Sequence, residues 1–187
     1  EAFDKTAKML NLGFPGGPNV EKFAKLGKKD SYKLPLPIIN RAGCNLSFAG
    51  LKTAVLRESK KINSDKNKAY NLAASFQETV IKILEKKTLV AIKEFKKKYK
   101  NNNCLVIAGG VASNQSIRER LKLLCKKENF NFIFPNQKFC GDNAAMIAWA
   151  GIKRFKKNLF NDEQTDVRSR WPLDLEAPFL KGPGLKL

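Results

Sequence analysis

The sequence contains no histidine. That absence excludes, within this chain, a Ser-His-Asp triad, a Cys-His nucleophile pair, an imidazole-ligated zinc site and a histidine general base. Chemistry must then come from carboxylates, hydroxyls, backbone amides, a bound group or residues on another chain. Long apolar runs are also missing. The densest, residues 144–152, is about half the ~20 residues a membrane helix needs. The cysteines Cys44, Cys104, Cys125 and Cys140 form no CxxC pair, which disfavours a zinc knuckle or a thioredoxin motif. Unpaired thiols without a signal segment predict a cytoplasmic protein. Acidic residues are scarce, 17 against 36 basic ones, for a net charge of +19.

What is present sets the remaining bounds. A chain of 187 residues, 43% of them apolar, can bury a core and fits one ordinary domain or two very small ones. The charge favours a polyanionic partner, such as tRNA, rRNA, DNA or an acidic membrane surface. However, 29 of the basic residues are lysine and asparagine numbers 17, a bias that an AT-rich genome also produces. The lysines are spread over residues 25–33, 60–68, 86–100, 122–127 and 153–157, as on solvated helix faces.

Residues 1–11 read as the end of a helix stopped by Asn11 and Gly13, followed by a tight FPGGP turn. Pro18 suits the first turn of a second helix over 19–28. Residues 30–53 read as mixed and extended, with Leu46 and Phe48 alternating before a glycine turn. Over 66–99, Leu72, Phe76, Val80, Ile83, Leu84, Val90 and Phe95 recur at helical spacing, with a break possible at Lys86–Lys87. Residues 105–108 are a short buried strand, and Ile117, Leu121 and Leu124 line the helix after it, capped by Ser113 or Asn114. Phe130, Phe132 and Phe134 alternate as a second strand, and Asp142 reads as the cap of a small-residue helix over 143–155. Strand–helix–strand–helix order predicts an α/β sheet with parallel strands. Residues 158–187 read as a tail packed on the body through Trp171, making 1–187 a single lobe.

Four places can carry chemistry. The turn Gly109-Gly110-Val111-Ala112-Ser113-Asn114 joins a buried strand to a helix, where bare backbone and a helix start can meet a phosphate or an adenosine. It serves equally as a tight junction capped by asparagine, and it matches neither the Rossmann nor the P-loop pattern. Asp142, after Cys140-Gly141, is either a metal-ligating carboxylate or an ordinary helix cap. The Phe14–Pro18 turn, flanked by Asp4 and Glu21, is either a ligand loop or a rigid connector. Lys96–Lys98 beside Tyr99 can grip phosphates or simply end a helix in solvent.

In order along the chain, EAFDKTAKMLNLGFPGGP, NLSFAGLKTAV, IAGGVASNQSIRERL, FCGDNAAMIAWAG and RSRWPLDL closely resemble the carboxyl-terminal half of the TsaD family. The resemblance implies the actin-like ATPase fold of sugar kinases and heat-shock chaperone ATPases, here mostly its second lobe, with the amino-terminal lobe outside the chain. It also implies transfer of the threonylcarbamoyl group from threonylcarbamoyl-AMP to N6 of the adenosine 3′ of the anticodon, in tRNAs reading ANN codons. TsaB-like and TsaE-like proteins are the implied partners, with no membrane involved. By motif, the resemblance assigns Asp4, Gly17, Glu21, Gly109, Gly110 and Asn114 to the adenylate and Asp142 to a divalent metal, iron or zinc. The family's other metal ligands are a histidine pair in an HxxxH motif, which this chain lacks. Two other readings stay open: a non-catalytic lobe that binds tRNA or a partner, and an ATPase or kinase of the same fold.

Overall fold

The computed structural model describes residues 1–101 and 103–160. The expected tail packing at 161–187, with Trp171, lies outside them. Residues 1–142 form one compact unit and residues from 143 onward a second.

The first unit is organised by one long helix. Helices α1 (Ala2–Met9), α2 (Gly16–Ala24) and α3 (Ala49–Ser59) precede α4, which runs unbroken over Lys66–Lys98. Asp65 starts α4 by accepting a hydrogen bond from the Lys68 amide. Its apolar positions recur every three to four residues and are buried on more than one side, so α4 packs against α2, α3 and a later helix at once. Phe76, Leu72 and Ile83 are fully buried, and Phe3 of α1 meets Phe76 edge-to-face at 5.1 Å. Burying each such side chain contributes on the order of 1.5–3 kcal/mol.

The break allowed at Lys86–Lys87 does not occur. Lys87 turns inward instead, and its Nζ donates to the carbonyls of Arg41 at 2.6 Å and Gly43 at 3.1 Å. The stem is buried, the ammonium is satisfied, and the 41–43 loop is tied to the helix. The 46–53 region also differs from its extended reading. Gly50 sits inside α3 rather than in a turn, and Leu51 and Val55, one helical turn apart, are fully buried.

The remainder is α/β. Strands β1 (Cys104–Val106) and β2 (Asn131–Ile133) pair in parallel, with Leu105 opposite Phe132. Helix α5 (Gln115–Lys127) joins them. It buries Ile117, Leu121, Leu124 and Cys125 toward α4 and β2.

In the second unit, α6 spans Ala144–Phe155. Its cap is Asn143, whose Oδ1 accepts from the Met146 amide at 3.0 Å, so Asp142 is not the cap. No α6 residue is buried: Ile147, Trp149 and Phe155 all stand in solvent.

Candidate functional site

Two glycine turns and one carboxylate carry the candidate site, and a chain of contacts joins them within the first unit. At one end, α1 and α2 meet at the FPGGP turn. Gly16 lies so close to α1 that an added Cβ would stand 2.6 Å from Asp4 Cα, whereas Gly17 has nothing within 4 Å of that position. Asp4 is exposed beside this turn, and Gly17 is half-buried.

Helix α2 then reaches the second turn through Glu21. Its Oε1 accepts from the Gln115 amide at 2.8 Å, across 94 residues of sequence. Asn114 caps the same helix start: its Oδ1 accepts from the Ile117 amide at 3.0 Å, and its amide nitrogen donates to Gln77 Oε1 at 2.7 Å. Asn114 is buried with both ends of its side chain engaged. These bonds change the expectation of a helix start presenting free N–H groups. Two of those groups are occupied, and the Glu21 carboxylate already supplies the negative charge that the helix dipole favours.

What remains open lies just ahead of the helix. Gly109 has φ 90° and ψ 170°, a region essentially reserved for glycine. A 3₁₀ turn over Gly110–Ser113 follows. Gly109 and Gly110 are exposed, and a Cβ at either position would meet nothing within 4 Å. Bare backbone therefore faces open space.

Arg118 fastens this turn to the one carrying Asp142. Its Nε donates to the Ala112 carbonyl, its Nη2 lies 3.2 Å from Cys140 Sγ, and its guanidinium sits 4.2 Å from the centre of the Phe134 ring. Arg118 is 6% exposed, and no ion pair to it is found among the described residues. A buried guanidinium without a carboxylate is costly. Here a carbonyl, a sulfur and an aromatic face share the charge. Gly141 and Asp142 follow Cys140 directly and are exposed.

The sequence reading missed Arg118 and Gln77, although one signal for Arg118 was available. The buried positions of α5 are 117, 118, 121, 124 and 125, so the arginine occupies a core-facing register.

A hollow of about 400 Å³, lined by Met9, Leu12, Phe23, Ile62, Asp65 and Tyr70, includes none of the candidate residues. Metal binding is tested by the donor set. The described residues bring no three His, Cys, Asp or Glu side chains together, so Asp142 lies in no donor cluster that would make a metal centre by itself.

Comparison with known proteins places this arrangement in a family. The family model for TsaD, described as tRNA N6-adenosine threonylcarbamoyltransferase, matches residues 1–149. A protein of that name from Pelagibacter ubique is 55% identical over all of this chain and 52% of its own length. One from Zymomonas mobilis is 46% identical over all of the chain and 50% of its own length. One from Rickettsia rickettsii is 46% identical over 93% of the chain and 52% of its own length. The chain belongs to the TsaD family. It spans about half the length of the curated relatives it matches.

Proposed function

We propose that this chain is one wall of an actin-like transferase that moves a threonylcarbamoyl group from threonylcarbamoyl-AMP to a tRNA adenosine. The observation that supports this best is the Arg118 brace. It ties Ala112, in the turn that follows Gly109-Gly110, to Cys140, which precedes Asp142, and so sets a fixed positive charge at that turn. An adenylate phosphate suits that place, since backbone can approach it closely and a fixed cation lies behind.

In the transfer, adenosine N6 attacks the carbamate carbonyl of the mixed anhydride. The new N–C bond forms as the C–O bond to AMP breaks, and N6 gives up a proton. No side chain of this chain is assigned as the base. The chain's share is positioning and electrostatic stabilisation. Gly109 and Gly110 supply backbone contacts, and Asp4 and Gly17 lie at the other glycine turn. Glu21 and Asn114 hold the second turn from behind. Asp142 is the one carboxylate this chain would offer to iron or zinc, with the remaining ligands supplied from elsewhere. TsaB-like and TsaE-like proteins are the proposed partners, and the cytoplasm the proposed location.

The alternative of a non-catalytic lobe that binds tRNA or a partner draws on the lack, among the described residues, of a cluster of three metal donors around Asp142. The deciding experiment gives the complete gene product threonylcarbamoyl-AMP and a tRNA reading an ANN codon. Modified adenosine should form, and Asp142→Ala should reduce its rate at least tenfold. Unmodified tRNA with the unaltered protein and its partners present would reject the transferase reading.

A further inference from the structure

Helices α4 and α5 run in the same direction. Gln77 meets Asn114 and Ser116, Glu78 and Glu85 meet Arg120, and Lys96 meets Glu128. Their carboxyl ends therefore emerge at one edge. The last turns of α4 bring Lys93, Lys96, Lys97 and Lys98 there, with Lys100 just beyond, and the end of α5 brings Lys122, Lys126 and Lys127.

Only Glu94 and Glu128 oppose these eight lysines along the two segments, and both are already paired, to Lys97 and Lys96 at 2.8 Å each. Among the described residues the other six lysines carry no ion pair. Helix dipoles do not account for them. Two helix ends supply roughly half a negative charge each, about one in all, against six unpaired cations. An aromatic ring stands in the same patch. Tyr99 is 56% exposed and leans on Phe95, ring centres 4.8 Å apart, while Phe95 and Lys96 both pack on Phe130. Unpaired lysines around an exposed, supported ring suit a sugar–phosphate backbone and an unstacked base.

We infer that the joint carboxyl edge of α4 and α5 is an RNA-binding surface that grips the tRNA backbone while the target base reaches the adenylate held at the Gly109-Gly110 turn. This rests on the transferase reading for its choice of RNA. The spacing is serviceable: the 13 residues of α5 separate turn and edge by about 20 Å, roughly six nucleotide steps.

The test replaces Lys93, Lys98, Lys126 and Lys127 together with glutamine in the complete gene product. A control set, Lys25, Lys28, Lys29 and Lys33 to glutamine, removes the same charge elsewhere. Lys28 is bonded to Asn71, some 37 Å along α4 from Lys96. Binding of a fluorescent ANN-reading tRNA is followed from about 50 to about 200 mM KCl. The edge variant should flatten the slope of log K against log salt by about three, and the control by less than one. Tyr99→Ala should weaken binding several-fold without changing the slope. Circular dichroism melts confirm that each variant is folded.

Equal flattening in both sets, an unchanged slope, or no tRNA binding by the unaltered protein would overturn the inference. So would a loss of binding confined to phosphatidylglycerol vesicles. Transfer measured on the same samples separates the two claims. TRNA held by this edge but never modified rejects the transferase reading alone. Normal transfer and binding by the edge variant reject the edge alone.

Discussion

The two glycine turns of the candidate site are held in opposite ways. The FPGGP turn is held by packing: Gly16 is buried, and a Cβ added to it would collide with Asp4 and Ala7 of the preceding helix. The GGVASN turn is held by polar bonds from Arg118, Asn114 and Glu21, and its glycines face open space. Similar sequence signals thus mark different constraints. One turn should fail when added atoms meet its neighbours, the other when a donor or acceptor is removed or the backbone of Gly109 is made to carry a side chain.

The largest effect should come from the brace. Arg118→Ala removes the guanidinium from Ala112 and Cys140 and leaves a hole beside Phe134. A loss of about 3 kcal/mol is expected, read from urea unfolding. Arg118→Lys keeps the charge but not the fork that spans two partners, so it should recover only part of the stability. If Arg118→Lys matches the unaltered protein in both stability and transfer, the polar account of this turn fails.

Steric substitutions on the packed side come next. Gly16→Ala places a methyl group 2.6 Å from Asp4 Cα and should cost on the order of 1–3 kcal/mol. Gly17→Ala, one residue on, meets nothing within 4 Å and should stay within about 0.5 kcal/mol. A silent Gly16→Ala would dissolve the contrast between the turns.

The open turn offers a sharper internal pair. Gly109→Ala forces a side chain into a glycine-only backbone region and should cost about 1–3 kcal/mol. Gly110→Ala should leave stability nearly unchanged yet weaken nucleotide binding, because its methyl group would stand in the open space that the proposed adenylate would use. Urea melts with and without AMP separate these outcomes. If Gly110→Ala binds AMP as well as the unaltered protein, this backbone is not a nucleotide contact.

Much of this fold was legible from spacing. The three-to-four periodicity of α4 and the presence of two strands depend on neighbours within one element, but the burial expected of residues 105–108 is not found: β1 covers 104–106 and Val106 is 62% exposed. What escaped depends on partners far away in sequence. Helix α3 buries only Leu51 and Val55 and carries Gly50 in its first turn, so its local signal is weak. Asp142 and Asn143 are both good caps on paper, and the geometry of the chain selects Asn143. The expected turn over 14–18 is cut short, because α2 already starts at Gly16, with Pro15 as its cap, rather than at residue 19. The family motifs did not reveal that Glu21 reaches α5, because that bond joins residues 94 apart. That Asn114 caps α5 could be read from its position, but its bond to Gln77 could not, because the two are 37 residues apart.

The smallest effect concerns acid, and it again follows polar bonds rather than packing. Lys96 hydrogen-bonds Glu128 at the end of α5 and holds that carboxyl below its ordinary value of 4.5. A depressed folded value means the unfolded chain takes up the proton first as pH falls. The pair's contribution is therefore complete above the ordinary carboxylate range and is lost as pH drops through the lower folded value. Both partners are solvent-accessible, so the change should be small and weakened by salt. Lys96→Met should remove that acid-dependent component from the melting temperature. The Gly16 contact involves no titration, so the cost of Gly16→Ala should be the same at pH 7 and in mild acid. If that cost varied with pH as much as the cost of Lys96→Met, packing and polar bonding would not be separable in this molecule.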